Sequence, residues 1–119
     1  MRNLLVISNH NPEFWDQSQK EGWDKIEFMQ FPNVSPQKDM EAIINCEIVE
    51  IVDKINSFYR ECLRLGAKGF VNLQGDFSLC YLVYQLMPSV NFIFPTTERV
   101  VEERPNGEKV SRFKFVRWR

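Results

Sequence analysis

The sequence predicts a single α/β domain in which a mostly parallel sheet carries helices on both faces and ends in a β-hairpin. Three observations predict this fold class. Residues 3–8 contain a continuous apolar run, Leu4 to Ile7, between two small polar residues, which is typical of a strand buried on both faces of a parallel sheet. Residues 39–65 repeat apolar side chains at three- and four-residue spacing, as a helix packed on a core does. Asn106-Gly107, between two β-like segments, is a strong hairpin signal.

Length, composition and charge limit the possible functions. The chain has 119 residues, of which 44% are hydrophobic and 26% charged, so residues 1–119 are expected to form one domain around one core. The net charge of −1 excludes a non-specific binder of duplex nucleic acid. Residues 98–119 nevertheless contain seven basic and four acidic residues, a surplus that suits a discrete anionic ligand.

The first third of the chain predicts two strands around a short helix. Asn3–Ser8 is the first strand, and a polar loop follows it. Asn11 suits the N-cap and Pro12 the first position of a helix that runs to about Glu21. Lys25–Gln30 is the second strand, because its apolar residues alternate.

The middle third predicts a long helix followed by a strand, a turn and another helix. Two prolines within residues 31–36 forbid regular pairing, so this segment is a loop. The apolar stripe of Asp39–Leu65 is core material, and Gly66 suits the end of that helix. Phe70–Leu73 is the third strand, and the next helix begins at or just after Asp76.

The last third predicts a fourth strand and a hairpin. Asn91–Phe94 is short and apolar, as a buried strand is, and the hairpin spans about residues 97–118. Alternation along its second arm places Arg117 among apolar residues, so either a bulge intervenes or Arg117 points inward to a partner. Four strands alternating with three helices before a hairpin indicate a doubly wound sheet of Rossmann type.

Polar segments follow three of the predicted strands: Ser8-Asn9-His10, Gln74-Gly75-Asp76, and Thr96-Thr97 with Arg99. Ligands of open α/β sheets bind beyond the carboxyl ends of the strands, so we expect these segments to converge on one site. Gly75 would let a ligand approach the backbone beside a helix start, where unpaired N–H groups attract anions. An ordinary turn with Asp76 as the N-cap is the alternative. Neither a dinucleotide-binding glycine motif nor a Walker phosphate loop is present.

Few side chains in these segments suit acid–base chemistry. His10 is the only histidine, and its reference pKa of about 6.5 suits a general acid or base, with a solvent-exposed or capping role as the alternative. Asp76 would hold a metal or position a hydroxyl unless it caps the helix. Glu98 is the only other carboxylate at the predicted strand ends, so a two-metal nuclease site is not indicated. Arg99 and Arg117 suit bidentate phosphate contacts, or else only protect an edge strand from aggregation.

The cysteines and the apolar runs bear on location. Cys46, Cys62 and Cys80 are widely spaced without a metal-binding pattern, and three free buried thiols suit a reducing cytosol. No signal peptide is recognisable, and no apolar run approaches the roughly 20 residues of a membrane span. We therefore expect a cytoplasmic protein without a metal, a cofactor or a membrane partner.

Several of these stretches together resemble one family, the small stand-alone ring nucleases of type III CRISPR loci in the Csx series. The stretches are Asn9-His10, Gln74-Gly75-Asp76-Phe77 with Tyr81, Thr96-Thr97-Glu98-Arg99, Asn106-Gly107, and Phe113 through Val116-Arg117-Trp118-Arg119. They keep the same order along nearly the whole chain. Leu79-Cys80, in place of smaller residues, and Phe115, in place of a histidine, depart from the family pattern.

The resemblance implies a homodimer with a Rossmann-like fold related to the CARF sensor domains. The implied ligand is a cyclic oligoadenylate second messenger, most often cyclic tetra-adenylate, bound across the two-fold axis. The implied activity is metal-independent cleavage of the ring to linear products, which switches off the effectors of antiviral defence. Attack by a ribose 2′-OH on the adjacent phosphate requires alignment and charge stabilisation, with no metal or nucleophilic side chain.

Under this hypothesis each candidate residue has a role. The backbone amides of residues 75–78 and the Arg99 guanidinium bind phosphates. Gln74, Ser8 and Thr97 orient ribose or adenine, and His10 protonates the leaving oxygen. His10, Arg99 and Asp76 are the catalytic candidates, and the remaining ligand-binding candidates are Asn9, Gly75, Phe77, Ser78, Thr96 and Arg117.

Three alternatives belong to other functional classes. A protein that sequesters the cyclic nucleotide without cutting it is consistent with the sparse acid–base residues. An unrelated nucleotide-binding regulator is possible because a fold does not determine a function. A structural or adaptor protein would bind no ligand tightly and would tolerate substitution at Gly75 and Arg99.

Overall fold

The computed structural model describes all 119 residues as a mixed α/β protein with a three-stranded parallel sheet and a two-stranded antiparallel hairpin. The predicted combination of a parallel sheet with a C-terminal hairpin is therefore confirmed. The strands are β1 (Arg2–Ser8), β2 (Lys25–Gln30), β3 (Lys68–Leu73), β4 (Pro95–Glu103) and β5 (Lys109–Trp118). The helices are α1 (Gln17–Lys20), α2 (Met40–Ile43), α3 (Val49–Leu65) and α4 (Phe77–Leu86).

Strand β1 lies at the centre of the parallel sheet, between β2 and β3. Its four residues from Leu4 to Ile7 are fully buried, so the apolar run forms the central strand that the sequence predicts. Core residues of α3 and α4, among them Ile51, Ile55 and Leu79, join the sheet in one hydrophobic cluster. This packing fixes the carboxyl ends of β1 and β3 next to each other.

The predicted short helix after β1 is divided into two pieces. Pro12–Phe14 forms a single 3₁₀ turn, and the Asn11 side chain caps it by accepting a hydrogen bond from the Glu13 N–H at 2.9 Å. The cap and the position of Pro12 are as predicted. Trp15 is extended, however, so the continuous helix is wrong, and α1 is a separate turn that begins at residue 17.

The long helix departs from the predicted regular stripe at a π-helical turn. Asp39 caps its start by accepting a hydrogen bond from the Ala42 N–H at 2.9 Å. α2 then leads into the π-helical turn Ile44–Ile48, and α3 ends at Gly66, whose φ of 67° confirms the predicted stop. No helix in the chain combines the length and the apolar character that a membrane span requires.

The π-helical turn changes which side chains face the core, because it shifts the phase of the helix. Ile44, expected in the core stripe, is 40% exposed. Glu47, expected on the solvent face, is buried instead, and its carboxylate binds the Lys38 ammonium at 2.5 Å. Cys46 is exposed, so the expectation of three buried thiols is wrong at that position.

The predicted fourth strand is also wrong, because Asn91–Phe94 forms a single β-bridge rather than a strand. Phe92 lies opposite Val71 of β3, and two backbone hydrogen bonds of 2.9 Å flank the bridge. Phe94 pairs instead with Arg119, at 2.7 Å and 2.9 Å. Pro95 has no N–H to continue a ladder in the parallel sheet. The chain therefore leaves the sheet and enters the hairpin.

The hairpin β4–β5 forms close to its predicted limits, and Gly107 in its turn has a φ of 86°. Thr96 pairs with Arg117 whereas Thr97 pairs with Phe115, so Val116 is the extra residue of a β-bulge. The bulge is one of the two alternatives that the alternation left open.

The hairpin extends away from the parallel sheet. The radius of gyration is 16.8 Å, against about 13.5 Å for a compact chain of this length. Trp118 holds the base of the hairpin, since its indole N–H donates to the Gln19 carbonyl at 3.1 Å and its ring lies 5.4 Å from that of Trp15. The rest of the hairpin is mostly exposed.

Candidate functional site

A polar cavity of about 490 Å³ opens at the carboxyl ends of β1 and β3. β1 and its loop contribute Ser8, Asn9, His10 and Asn11. The first helical turns contribute Phe14, Trp15 and Gln19, and the remaining lining residues are Asn72, Gln74 and Pro95. Such a volume is within the range of small-molecule sites in proteins.

The register of the sheet brings the first two predicted segments together. Ile7 lies beside Leu73, and the Gln74 N–H donates to the Ile7 carbonyl at 3.0 Å. Residues 8–10 and 74–75 consequently line one smaller cleft of about 180 Å³ at the cavity wall. The expected convergence is present for these two segments.

Backbone and amide contacts shape the loop after β1. Ser8 is buried, and its hydroxyl accepts a hydrogen bond from the His10 N–H at 3.1 Å, which fixes the turn. The Asn9 carbonyl oxygen Oδ1 accepts from the Gln30 amide at 3.0 Å. The His10 side chain is exposed at the cavity and makes no hydrogen bond to another residue of the chain. The imidazole is therefore available to a ligand.

Asn72 is a site residue that the sequence reasoning missed. It is 1% exposed, and its side-chain amide donates to the Gln74 Oε1 at 3.2 Å and to the Ile93 carbonyl at 3.0 Å. These bonds orient the Gln74 side chain, so that the N–H groups of the Gln74 amide can donate to a ligand. An asparagine within the apolar run Phe70–Leu73 was a usable signal, because a buried amide must find hydrogen-bond partners.

A glycine is needed at position 75 because the ring of Phe31 packs against it, and not because a ligand approaches it. A Cβ at this position would lie only 2.4 Å from the ring of Phe31, which is itself buried. The space that the glycine leaves open is thus filled by an aromatic ring of the same chain. The expected reason for the glycine, close approach of a ligand, is replaced by core packing.

Asp76 is the N-cap of α4, as the alternative interpretation held. Its Oδ1 accepts hydrogen bonds from the Ser78 hydroxyl at 2.7 Å and from the Leu79 N–H at 3.1 Å. These bonds, that from Ser78 above all, hold the pKa of the Asp76 carboxyl below its usual value. Asp76 borders a second cleft, which Asn9 also lines, and not the main cavity.

Phe77 begins α4 and lies on the surface beside this cap. The ring is 83% exposed and stacks on Tyr81, with 6.3 Å between ring centroids and 14° between ring planes. Neither ring lines the main cavity.

We expect Asp76→Ala to lower the free energy of unfolding by about 1 kcal/mol at neutral pH, because α4 loses its cap. The pKa of Asp76 is lowered by folding, so its carboxylate stabilises the fold above the unfolded pKa of about 3.9, and this contribution is lost as the pH falls through the folded pKa. Urea titrations between pH 3 and pH 7 measure it. Asp76→Asn, which keeps a capping oxygen without titrating, serves as the control. If Asp76→Ala lowered the free energy of unfolding equally at pH 3 and at pH 7, the stabilising contribution of the ionised carboxylate would be contradicted.

The third predicted segment does not join the site within one chain. Thr96, Thr97, Arg99 and Arg117 lie on the hairpin, and only Pro95 of this region lines the cavity. The Thr96 hydroxyl donates to the Arg117 carbonyl at 3.0 Å, and the Arg99 Nε donates to the Ser111 hydroxyl at 2.5 Å. The expected convergence fails here because β4 pairs with β5 instead of extending the parallel sheet.

Neither lysine nor arginine of the same chain lines the cavity. Its polar groups are amides, a hydroxyl and one imidazole, and two aromatic side chains flank them. No group of three or more histidine, cysteine, aspartate or glutamate residues is placed to hold a metal ion. The arrangement suits hydrogen bonding to a polar ligand and one proton transfer.

A family model described as the Uncharacterized protein MJ1673 family matches residues 2–119. No curated protein and no solved structure matches the chain.

Proposed function

We propose that this chain, which belongs to the MJ1673 family of uncharacterized proteins, is a ring nuclease of type III CRISPR signalling. It binds a cyclic oligoadenylate, with cyclic tetra-adenylate as the first candidate, and cleaves it to linear products. The proposal includes a homodimer with the Rossmann-like arrangement of CARF domains, located in the cytoplasm. The β2-β1-β3 order of parallel strands supports the Rossmann-like arrangement. The three free cysteines support the cytoplasmic location.

The observation that carries the proposal is the composition of the cavity at the ends of β1 and β3. Asn9 and Gln74 present amides, which match the hydrogen-bonding edges of adenine and the hydroxyls of ribose. Phe14 and Trp15 supply aromatic surface at the rim, on which a base can stack. The single imidazole of His10 stands among them. This set matches a nucleotide better than an apolar or a purely anionic ligand.

The proposed reaction needs only groups that the site and the ligand provide. The ribose 2′-oxygen attacks the adjacent phosphorus, the bond from phosphorus to the 5′-oxygen breaks, and a 2′,3′-cyclic phosphate and a free 5′-OH result. The 2′-OH proton leaves to water, and the His10 imidazolium gives its proton to the departing 5′-oxygen. Gln74, held by Asn72, keeps the ribose in the orientation for in-line attack.

A second candidate function is sequestration of the ring without cleavage. The absence of any lysine or arginine from the cavity of one chain favours it, because cleavage builds negative charge on the phosphoryl oxygens that no permanently charged side chain of that cavity offsets. Binding requires less stabilisation of this kind than turnover does.

We expect the purified protein to convert labelled cyclic tetra-adenylate, in the presence of EDTA, to linear di-adenylate ending in a 2′,3′-cyclic phosphate. The reaction requires no metal ion, so EDTA and added Mg²⁺ should give equal rates. Chromatography of the products against synthetic standards, with cyclic hexa-adenylate as the matched ring control, measures this. Tight binding without product would favour sequestration, and no binding of either ring would refute the proposed function.

A further inference from the structure

We propose that the hairpin of one copy completes the cavity of a second copy, and that Arg99 is the cation it delivers. The interface would be one face of the hairpin, here called the hairpin face, which comprises the apolar Val101, Phe113 and Phe115 together with Thr97, Arg99 and Ser111. The delivery of Arg99 to a bound phosphate rests on the proposed function, whereas the interface itself does not.

The hairpin face carries large apolar side chains that are left uncovered. Arg99 lies opposite Phe113, and Thr97 lies opposite Phe115, so alternation along the strands puts these side chains on the same face. Phe113 is 75% exposed and Val101 is 58% exposed. A two-stranded sheet without a covering layer is marginally stable in water, so this face is expected to have an occupant.

The hairpin face is continuous with the cavity. The rings of Phe115 and Trp118 lie 5.7 Å apart, and those of Trp118 and Trp15 lie 5.4 Å apart. Trp15 in turn lines the cavity. A molecule packed along the hairpin face would therefore also stand at the mouth of the cavity.

Charge identifies the occupant as a second copy of the chain. Arg112 and Arg104 of the hairpin pair with Glu102 and Glu108. Among the hairpin cations without a carboxylate partner, Arg99 is the one that lies between apolar side chains of the hairpin face. No lysine or arginine lines the cavity, and its rim segment, residues 12–21, contains three acidic residues and one lysine. Each copy thus carries both an unpaired arginine on the hairpin face and an acidic rim that attracts one, and a two-fold axis brings both pairs together at once.

Arg99 does not serve the cavity of its own chain. It lies four residues beyond Pro95 along β4, which is about 13 Å of extended strand. Its Nε is bonded to Ser111, farther along the hairpin from the cavity than Phe115. Arg99 can therefore serve a cavity only when its hairpin packs against a second copy.

The interface is tested first without any ligand, by sedimentation of the full chain. We expect the wild type to be a dimer and the double variant Val101→Ser/Phe113→Ser to be a monomer with unchanged circular dichroism. Val100→Ser, on the opposite face of the same strand, is the matched control and should remain a dimer. A monomeric wild type, or a double variant that still dimerises, would overturn the proposed interface whatever the ligand assay shows.

Delivery of Arg99 in trans is tested by mixing two variants that are each inactive, Arg99→Ala and His10→Ala. A mixed dimer holds one cavity with an intact His10 that receives an intact Arg99. Half of the dimers are mixed and each holds one intact site, so about a quarter of the wild-type cleavage rate should return. No recovery, with mixed dimers verified by mass spectrometry and an active wild type, would overturn delivery in trans. An inactive wild type would refute cleavage instead. Recovery of ring binding on mixing Arg99→Ala with Gln74→Ala, each expected to bind weakly alone, would then be the measurement, and no recovery would overturn delivery in trans.

Discussion

A His10→Ala variant is expected to cleave cyclic tetra-adenylate about 10² to 10⁴ times more slowly than the wild type, with its affinity for the ring nearly unchanged. His10 is the only imidazole of the chain, and its side chain is exposed at the cavity. A group that protonates the leaving oxygen acts in the transition state, so its loss lowers kcat rather than binding. Single-turnover cleavage and equilibrium binding of the same labelled ring separate the two quantities.

The pH dependence gives an independent measurement of the same role. A general acid must be protonated, so the wild-type rate should fall between slightly acidic and alkaline pH. His10 is the only histidine, so no other imidazole contributes to this dependence. His10→Gln, which keeps a hydrogen-bonding side chain but cannot act as a general acid, should be as slow as His10→Ala and should lose the pH dependence. A wild-type rate that shows the same pH profile as the rate of His10→Gln would remove His10 from catalysis.

Gly75→Ala is expected to destabilise the protein by about 1 to 3 kcal/mol, because the added methyl group would overlap the Phe31 ring. The φ of Gly75 is not positive, so alanine meets no backbone strain there and the effect reports packing alone. Urea unfolding of the wild type and the variant measures the difference. Tm shifts in the same direction provide a second measurement.

A double-mutant cycle with Phe31→Ala shows whether packing is the cause. Phe31→Ala alone should cost about 3 to 5 kcal/mol, because it empties a buried site. Adding Gly75→Ala to that variant should cost little more, since the overlapping ring is gone, and the two changes should therefore be strongly non-additive. If Gly75→Ala instead had wild-type stability but bound the ring weakly, approach of a ligand would be the reason for the glycine.

Local signals in the sequence were sufficient for several elements. The apolar run of residues 3–8 is the central strand, because only a position covered on both faces accommodates it. Asn11 and Asp76 are N-caps and Gly66 ends a helix, since each of these roles depends on the residue and its immediate neighbours. The meeting of Ser8 with Gln74 was also predictable, because parallel strands end at the same edge of a sheet.

Other features depend on contacts between segments distant in the chain, which no local pattern encodes. Phe31 lies directly before Pro32 at the start of a loop, and only the folded structure shows that its ring occupies the space left open by Gly75. The π-helical turn rotates Glu47 inward, where Lys38 compensates its charge. Both are outcomes of packing.

The sequence by itself determined the α/β class, the central strand, the helix caps, the hairpin and the pairing of the loops that follow β1 and β3. The tertiary structure alone decided the position of Arg99. Phe94 pairs with Arg119 rather than continuing along β3, so the hairpin leaves the sheet and takes Thr96, Thr97 and Arg99 away from the cavity. The physical reason is that strand propensity depends on the local sequence, whereas the partner with which a strand pairs depends on which strand edges the folded chain brings beside it.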